Sequence, residues 1–130
     1  MVARERELLE EPHSVYRVLI VDDHAGFRRC ARELLTTEGF TVVGEAGDGE
    51  EAVRMAAAST ANVVLMDVQL PGMDGFAVTE RLLAVDPGLP IVLISTRDRE
   101  DYGGLIAQSG ARGFVSKDDL SGDSLRELLR

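Results

Sequence analysis

Hydrophobic and polar positions along this chain fall into short blocks with two alternating periods. Five brief apolar, β-branched runs stand out: Val18–Val21, Thr41–Val43, Asn62–Met66, Ile91–Ile94 and Gly113–Val115. Between them lie segments with helical spacing. The clearest is Ala25–Glu38, where Phe27, Cys30, Ala31, Leu34 and Leu35 share a face and Gly39 stands at the C-cap position. Gly49–Ala58 is rich in alanine, and Phe76–Val85 is stopped by Pro87 and Gly88. A fourth segment, Arg99–Ser109, carries Gly103 and Gly104 inside it, where each glycine costs roughly 1 kcal/mol relative to alanine, so a short or mobile helix is expected. The last runs from near Ser121 to Arg130, with Ser124 and Glu127 spaced like a capping box.

Strands alternating with helices of this length predict right-handed βαβ units, hence a parallel sheet covered on both faces. Nearly continuous apolar runs fit strands buried on both sides. The reading is an α/β domain of (βα)5 type over residues 16–130. Residues 1–15 are read as an extension outside it, a frayed, solvated tail.

Composition narrows the function classes. A chain of 130 residues that is 45% hydrophobic can bury a core without staples, and its single cysteine, Cys30, leaves no intrachain disulfide. Fourteen Lys and Arg against 23 Asp and Glu give a net charge of −9, which disfavours DNA and anionic membranes as direct partners. The charged start and the lack of a long apolar stretch predict a cytoplasmic protein.

Ligand sites in open α/β sheets lie beyond the carboxyl ends of the strands. The first run ends in Asp22 and Asp23, the third in Asp67, the fourth in Ser95 and Thr96, and the fifth in Lys117, whereas the second ends in Glu45 and Ala46. One rim thus collects three carboxylates, a hydroxyl and an ammonium. Crowded carboxylates repel, and a hard divalent cation such as Mg²⁺, with oxygen ligands, relieves that repulsion. Lys117 suits one phosphoryl oxygen and Ser95 another. With no Cys or His placed to attack, the nucleophile is a carboxylate, and Asp67 is the candidate, giving an acyl phosphate. The turn Val68–Gly75, with Pro71-Gly72, exposes Asp67 and aims the Gln69 carbonyl at the metal, while Asp74 reads as a helix N-cap.

Four segments in order, Val18–Asp23, Val64–Asp67 with Leu70–Gly75, Ile91–Ser95 and Gly113–Lys117, resemble the receiver domains of two-component response regulators. The likeness covers about residues 16–130. It implies the doubly wound, flavodoxin-like sheet with strand order 2-1-3-4-5, also called CheY-like, and a sensor histidine kinase as phosphoryl donor. Carried onto this sequence, Asp67 is the phosphoacceptor, Asp23 and the Gln69 carbonyl join it on Mg²⁺, and Asp22 acts through an intervening water. Lys117 pairs with the phosphoryl group, Ser95 is the switch hydroxyl, and Phe114 is the switch aromatic. The output face would be the fourth helix, fifth strand and fifth helix. Phe114 lacks the hydroxyl of the commoner Tyr, Asp118 follows Lys117 where many receivers have Pro, and Leu70 replaces a frequent Met. Lys117-Asp118 and Val42–Gly49 look more like receivers attached to LuxR-type DNA-binding domains.

Further residues are read plainly. His24 opens the first helix with its ring to solvent, Cys30 is a buried small hydrophobe, and Arg28, Arg29 and Arg32 form a solvated face. Gln69 and Arg97 flank the site as tuners of the phosphorylated state's lifetime. The expected function is a phosphorylation-controlled switch that catalyses only its own phosphorylation and dephosphorylation. An aspartyl phosphatase of the haloacid-dehalogenase class would need an acid two residues after Asp67, where Gln69 stands. The same residues are also compatible with the receiver part of a truncated LuxR-type regulator and with a phosphorylation-independent scaffold. On the partner side they are compatible with a phosphorylation-linked homodimer.

Overall fold

In the computed structural model, which describes residues 16–130, the apolar runs become five parallel strands. These are β1 (Arg17–Val21), β2 (Thr41–Ala46), β3 (Val63–Asp67), β4 (Ile91–Ser95) and β5 (Gly113–Ser116). Between and after them come α1 (Ala25–Thr37), α2 (Gly49–Ala58), α3 (Gly75–Val85), α4 (Leu105–Gln108) and α5 (Gly122–Leu129). The sheet order is β2-β1-β3-β4-β5, the doubly wound order the resemblance implies. The tail expected over residues 1–15 lies outside the described residues.

Successive side chains on a strand point to opposite faces, and here both faces are covered. Val18, Ile20, Leu65 and Ile94 pack against Ala31 and Leu35 of α1 and Leu125 and Leu129 of α5. Leu19, Val21, Met66 and Leu93 pack on the other side against Ala52 of α2, Val78 and Leu82 of α3 and Ile106 of α4. Every residue of β3 and β4 is buried, which is why those runs read as continuous rather than alternating. Each large side chain so buried stabilises the fold by roughly 1.5–3 kcal/mol relative to exposure.

Helix starts follow local chemistry. Asp48 accepts from the Glu51 amide, and Asp74 accepts from the Ala77 amide at 2.9 Å, the N-cap role expected of it. Two sequence readings need correction and a third is sharpened. Cys30 is exposed: the buried stripe of α1 runs through Ala31 and Leu35, and the preceding residue lies about 100° round the helix. The cap of α5 is Ser121, in reciprocal hydrogen bonds with Ser124, so the Ser124/Glu127 spacing marks no capping box. The fourth helix is broken into a 3₁₀ turn, Arg99–Tyr102, and the single turn of α4, separated by Gly103 at φ +57°. A left-handed residue cannot continue a right-handed helix, so the short alternative holds.

Candidate functional site

The parallel order sets the ends of β1, β3, β4 and β5 along one edge of the sheet. Asp67 is the last residue of β3, the middle strand, and Asp22 follows β1; both are buried, at 3% and 0% exposure, so the turn after β3 does not expose Asp67 as expected. Lys117, the first residue after β5, sits between them. Its Nζ lies 2.6 Å from Asp22 Oδ2 and 3.3 Å from Asp67 Oδ2. Phe27 of α1 closes the other side, with the ammonium 4.5 Å from its ring centroid.

Two buried carboxylates against one ammonium leave the pocket with excess negative charge, and the Asp67 carboxyl shows the strain. Burial pushes it from 3.8 up to about 6; the Gln69 amide pulls the other way, Asp22's charge adds to the rise, and Lys117 opposes it. Burial likewise works against the Lys117 ammonium, but the hydrogen bond to Asp22 and the charges of Asp67 and Asp22 outweigh it and hold Lys117 above the ordinary lysine value. Asp23 is more exposed, and His24 places Nδ1 3.2 Å from Asp23 and 3.4 Å from Asp22. Ligand atoms of Asp22, Asp23, His24 and Asp67 lie within 4.8 Å of one another. Hard oxygen donors with surplus negative charge in so small a space fit a divalent cation such as Mg²⁺.

Backbone amides fix the carboxylates. Asp22 Oδ1 accepts from His24 N at 2.8 Å, and Asp67 Oδ1 accepts from Gln69 N at 3.1 Å. Gly75 seats its amide on the Val68 carbonyl, so tightly that a Cβ there would stand 2.2 Å from the Asp67 carbonyl oxygen. The glycine in this turn therefore sets how close α3 comes to the strand end carrying Asp67.

Ser95 and Phe114 belong to a neighbouring cluster. The Ser95 hydroxyl, fully buried, shares a 2.6 Å hydrogen bond with the Tyr102 hydroxyl and accepts from the Arg97 amide at 3.0 Å. Tyr102 lies edge-on to Phe76 at 5.7 Å and tilted against Phe114 at 5.9 Å. Arg97 itself is exposed. So Asp22, Asp23, Asp67, Lys117 and the Gln69 amide converge, while Ser95 and Phe114 gather around a tyrosine that the sequence pattern did not single out, and Arg97 joins them only through its backbone amide on Ser95.

Two of the three arginines read as a solvated face do more. Arg28 and Arg32 hold Glu45 at 3.1 and 2.6 Å, and Arg28 donates to the Asp22 carbonyl at 2.6 Å. The Glu45 carboxyl is held below its ordinary value, chiefly by the Arg32 hydrogen bond. The i, i+4 spacing of the arginines was the available signal. His24 keeps the solvent-facing ring expected of it, 74% exposed, but stands among the acidic side chains.

A family profile described as "Response regulator receiver domain" matches residues 18–130. The response regulator GacA of Pseudomonas viridiflava is 36% identical over 115 residues, 88% of this chain and 52% of that protein. Response regulator UvrY of Escherichia coli O6:H1 is 36% identical over 77% of this chain and 46% of its own length. The chain thus spans about half the length of the curated relatives it matches. Among solved structures, the signal receiver domain of NarL from Mycobacterium tuberculosis superposes with a TM-score of 0.78 at 33% identity, covering 88% of this chain and 93% of that one. The response regulator TrrA of Thermotoga maritima, solved in complex with Mg²⁺ and beryllofluoride, superposes at 0.76 with 26% identity over 88% and 96%.

Proposed function

The chain belongs to the response regulator receiver domain family, and from that premise we propose that it takes a phosphoryl group on Asp67 from a sensor histidine kinase. One observation carries the reading: a buried carboxylate ends the middle strand with Lys117 at 3.3 Å and two further carboxylates beside it. In the transfer, an Asp67 oxygen bonds to phosphorus as the donor's N–P bond breaks and its electron pair returns to the imidazole nitrogen. Asp67 must be ionised to attack, and at about 6 it still is at neutral pH. Lys117 pairs with a phosphoryl oxygen, exchanging its contact with Asp67 for one with the group Asp67 has gained. Asp22, Asp23, Asp67 and the Gln69 carbonyl would hold Mg²⁺, which when bound offsets the charge of the carboxylates and phosphoryl oxygens. The Mg²⁺–beryllofluoride complex of TrrA supports that assignment.

Hydrolysis of the acyl phosphate returns Asp67, so the domain acts in the cytoplasm as a reversible switch rather than a turnover enzyme. Ser95 would bind the phosphoryl group, Phe114 would follow, and α4, β5 and α5 would present the change to a partner. Gln69 and Arg97 flank the acceptor and would tune how long the phosphoryl group survives. The deciding experiment incubates the protein with Mg²⁺ and acetyl phosphate and weighs it by mass spectrometry beside Asp67→Asn. One phosphoryl adduct on the wild type alone is expected; no adduct, or an equal one on the variant, refutes the reading. A second proposal, that this receiver regulates a longer LuxR-type transcription factor, is favoured by its half-length match to response regulators. Sequencing the flanking coding region tests it.

A further inference from the structure

Ser95 occupies a position its proposed role does not explain. Its hydroxyl lies at the buried end of β4, beside the strand that carries Asp67, yet its contacts run toward the following segment, to the Arg97 amide and the Tyr102 hydroxyl. A serine hydroxyl has one proton and two lone pairs. The Arg97 amide occupies one lone pair, and the 2.6 Å bond to Tyr102, whichever hydroxyl donates it, holds the Ser95 oxygen toward the tyrosine ring. That ring is clamped between Phe76 of α3 and Phe114 of β5. Immediately after it the chain turns through Gly103 at φ +57°, which ends the 3₁₀ turn and separates Arg99–Tyr102 from α4.

We propose that Tyr102 is a positioning residue: its hydroxyl holds the Ser95 hydroxyl away from the acceptor carboxylate, so that Ser95 reaches a phosphoryl group on Asp67 only by giving up Tyr102. This rests on Asp67 being the phosphoacceptor and Ser95 its hydroxyl donor. Activation then exchanges one hydrogen bond for another, and its threshold is set in part by the bond that is lost. The same exchange links the site to Phe114, because the ring released by Ser95 is the one packed on Phe114. The coupling thus runs through a tyrosine on the 3₁₀ turn, in a chain whose β5 aromatic has no hydroxyl of its own.

The test measures beryllofluoride binding in Mg²⁺ for wild type, Tyr102→Phe, Ser95→Ala and the double variant, with Asp67→Asn as control and far-UV circular dichroism and melting to show that each is folded. Tyr102→Phe keeps the ring and removes only the latch. It should bind about twofold to tenfold more tightly than wild type, the range set by the net worth of one hydrogen bond. In the Ser95→Ala background the same substitution should change nothing. Unchanged or weaker binding by Tyr102→Phe, or a gain that persists without the Ser95 hydroxyl, overturns the latch. Wild type that binds no more beryllofluoride than Asp67→Asn overturns the acceptor reading itself, and the latch with it. If Tyr102→Phe does not fold, amide exchange at Asp101 and Gly103, whose bonds close the turn that carries Tyr102, decides in the wild type: it should quicken when beryllofluoride is added, and an unchanged rate refutes the proposal.

Discussion

The strand-end rim and the Thr96–Gly110 segment lie side by side and are built on opposite terms. At the rim, Asp22 and Asp67 are buried, each carboxylate is fixed by a backbone amide, and one lysine bridges both. In the segment, only Ile106 is buried, the helix is one turn long, and a left-handed glycine interrupts it. Chemistry that needs groups placed within fractions of an ångström sits on strands whose neighbours leave no freedom. A part that must change shape sits where few contacts hold it, at the low end of the local stability range. Ser95 is where the two meet: its backbone belongs to β4 and its hydroxyl to Tyr102.

The sharpest way to break that contrast is to remove the bridging cation. Lys117→Met leaves two buried carboxylates facing each other, and should cost about 3–5 kcal/mol at pH 8 without divalent metal. Because the Asp67 carboxyl then rises further, the cost should shrink as pH falls toward 4 and it takes up a proton. Urea unfolding at both pH values checks this, and a pH-independent loss would show that the lysine acts through packing alone. Next in size is Gly75→Ala, whose Cβ would stand 2.2 Å from the Asp67 carbonyl and 2.8 Å from Val68 Cα. Backbone must move to admit it, at about 3 kcal/mol. Beryllofluoride binding should fall with stability, since the part that moves is the strand end bearing the acceptor.

The rim was readable because each of its residues ends an apolar run, and a strand's period together with its direction puts such residues at one edge of a parallel sheet. The sheet order was not in the periodicity; it came with the resemblance, and the structure has it. What escaped depends on angles that no local pattern states. Cys30 and Ala31 are adjacent and both apolar, and only the tilt of α1 on the sheet decides which one is buried. Arg28 meets the Asp22 carbonyl because β2 delivers Glu45 beside it. Tyr102 was hidden for a different reason: glycines after it marked the segment as a weak helix, and nothing in a weak helix indicates which residue turns inward. The glycines did forecast the break that the backbone shows at Gly103.

A smaller effect of opposite sign should come from the acceptor itself. Asp67 titrates in the folded protein at about 6, above 3.8 when unfolded, so its contribution is fully favourable only below 3.8 and is lost as pH rises through 6. At neutral pH its ionised form is therefore a cost, and Asp67→Asn should stabilise the metal-free protein by about 2 kcal/mol. The gain should disappear below pH 4. Mg²⁺ should reverse the comparison, because it binds the ionised wild type and stabilises it by mass action. Melting curves in EDTA and in Mg²⁺ at pH 4 and 7.5 test both signs together.

The smallest effect belongs to the loose segment and is the most informative about it. Gly104 has φ −81° and ψ −3°, values that any residue adopts, and a Cβ there would touch only the end of Gln108 at 3.4 Å. Gly104→Ala should therefore stabilise by about 0.5 kcal/mol by narrowing the unfolded ensemble. Gly103, at φ +57°, offers no such gain, since a side chain is strained there however open the space. If the segment's weakness serves the switch, a stiffer Gly104→Ala domain should exchange its 99–108 amides more slowly and bind beryllofluoride slightly less well. An equal affinity would mean that the break at Gly103 alone supplies the movement, and that the second glycine merely lowers stability.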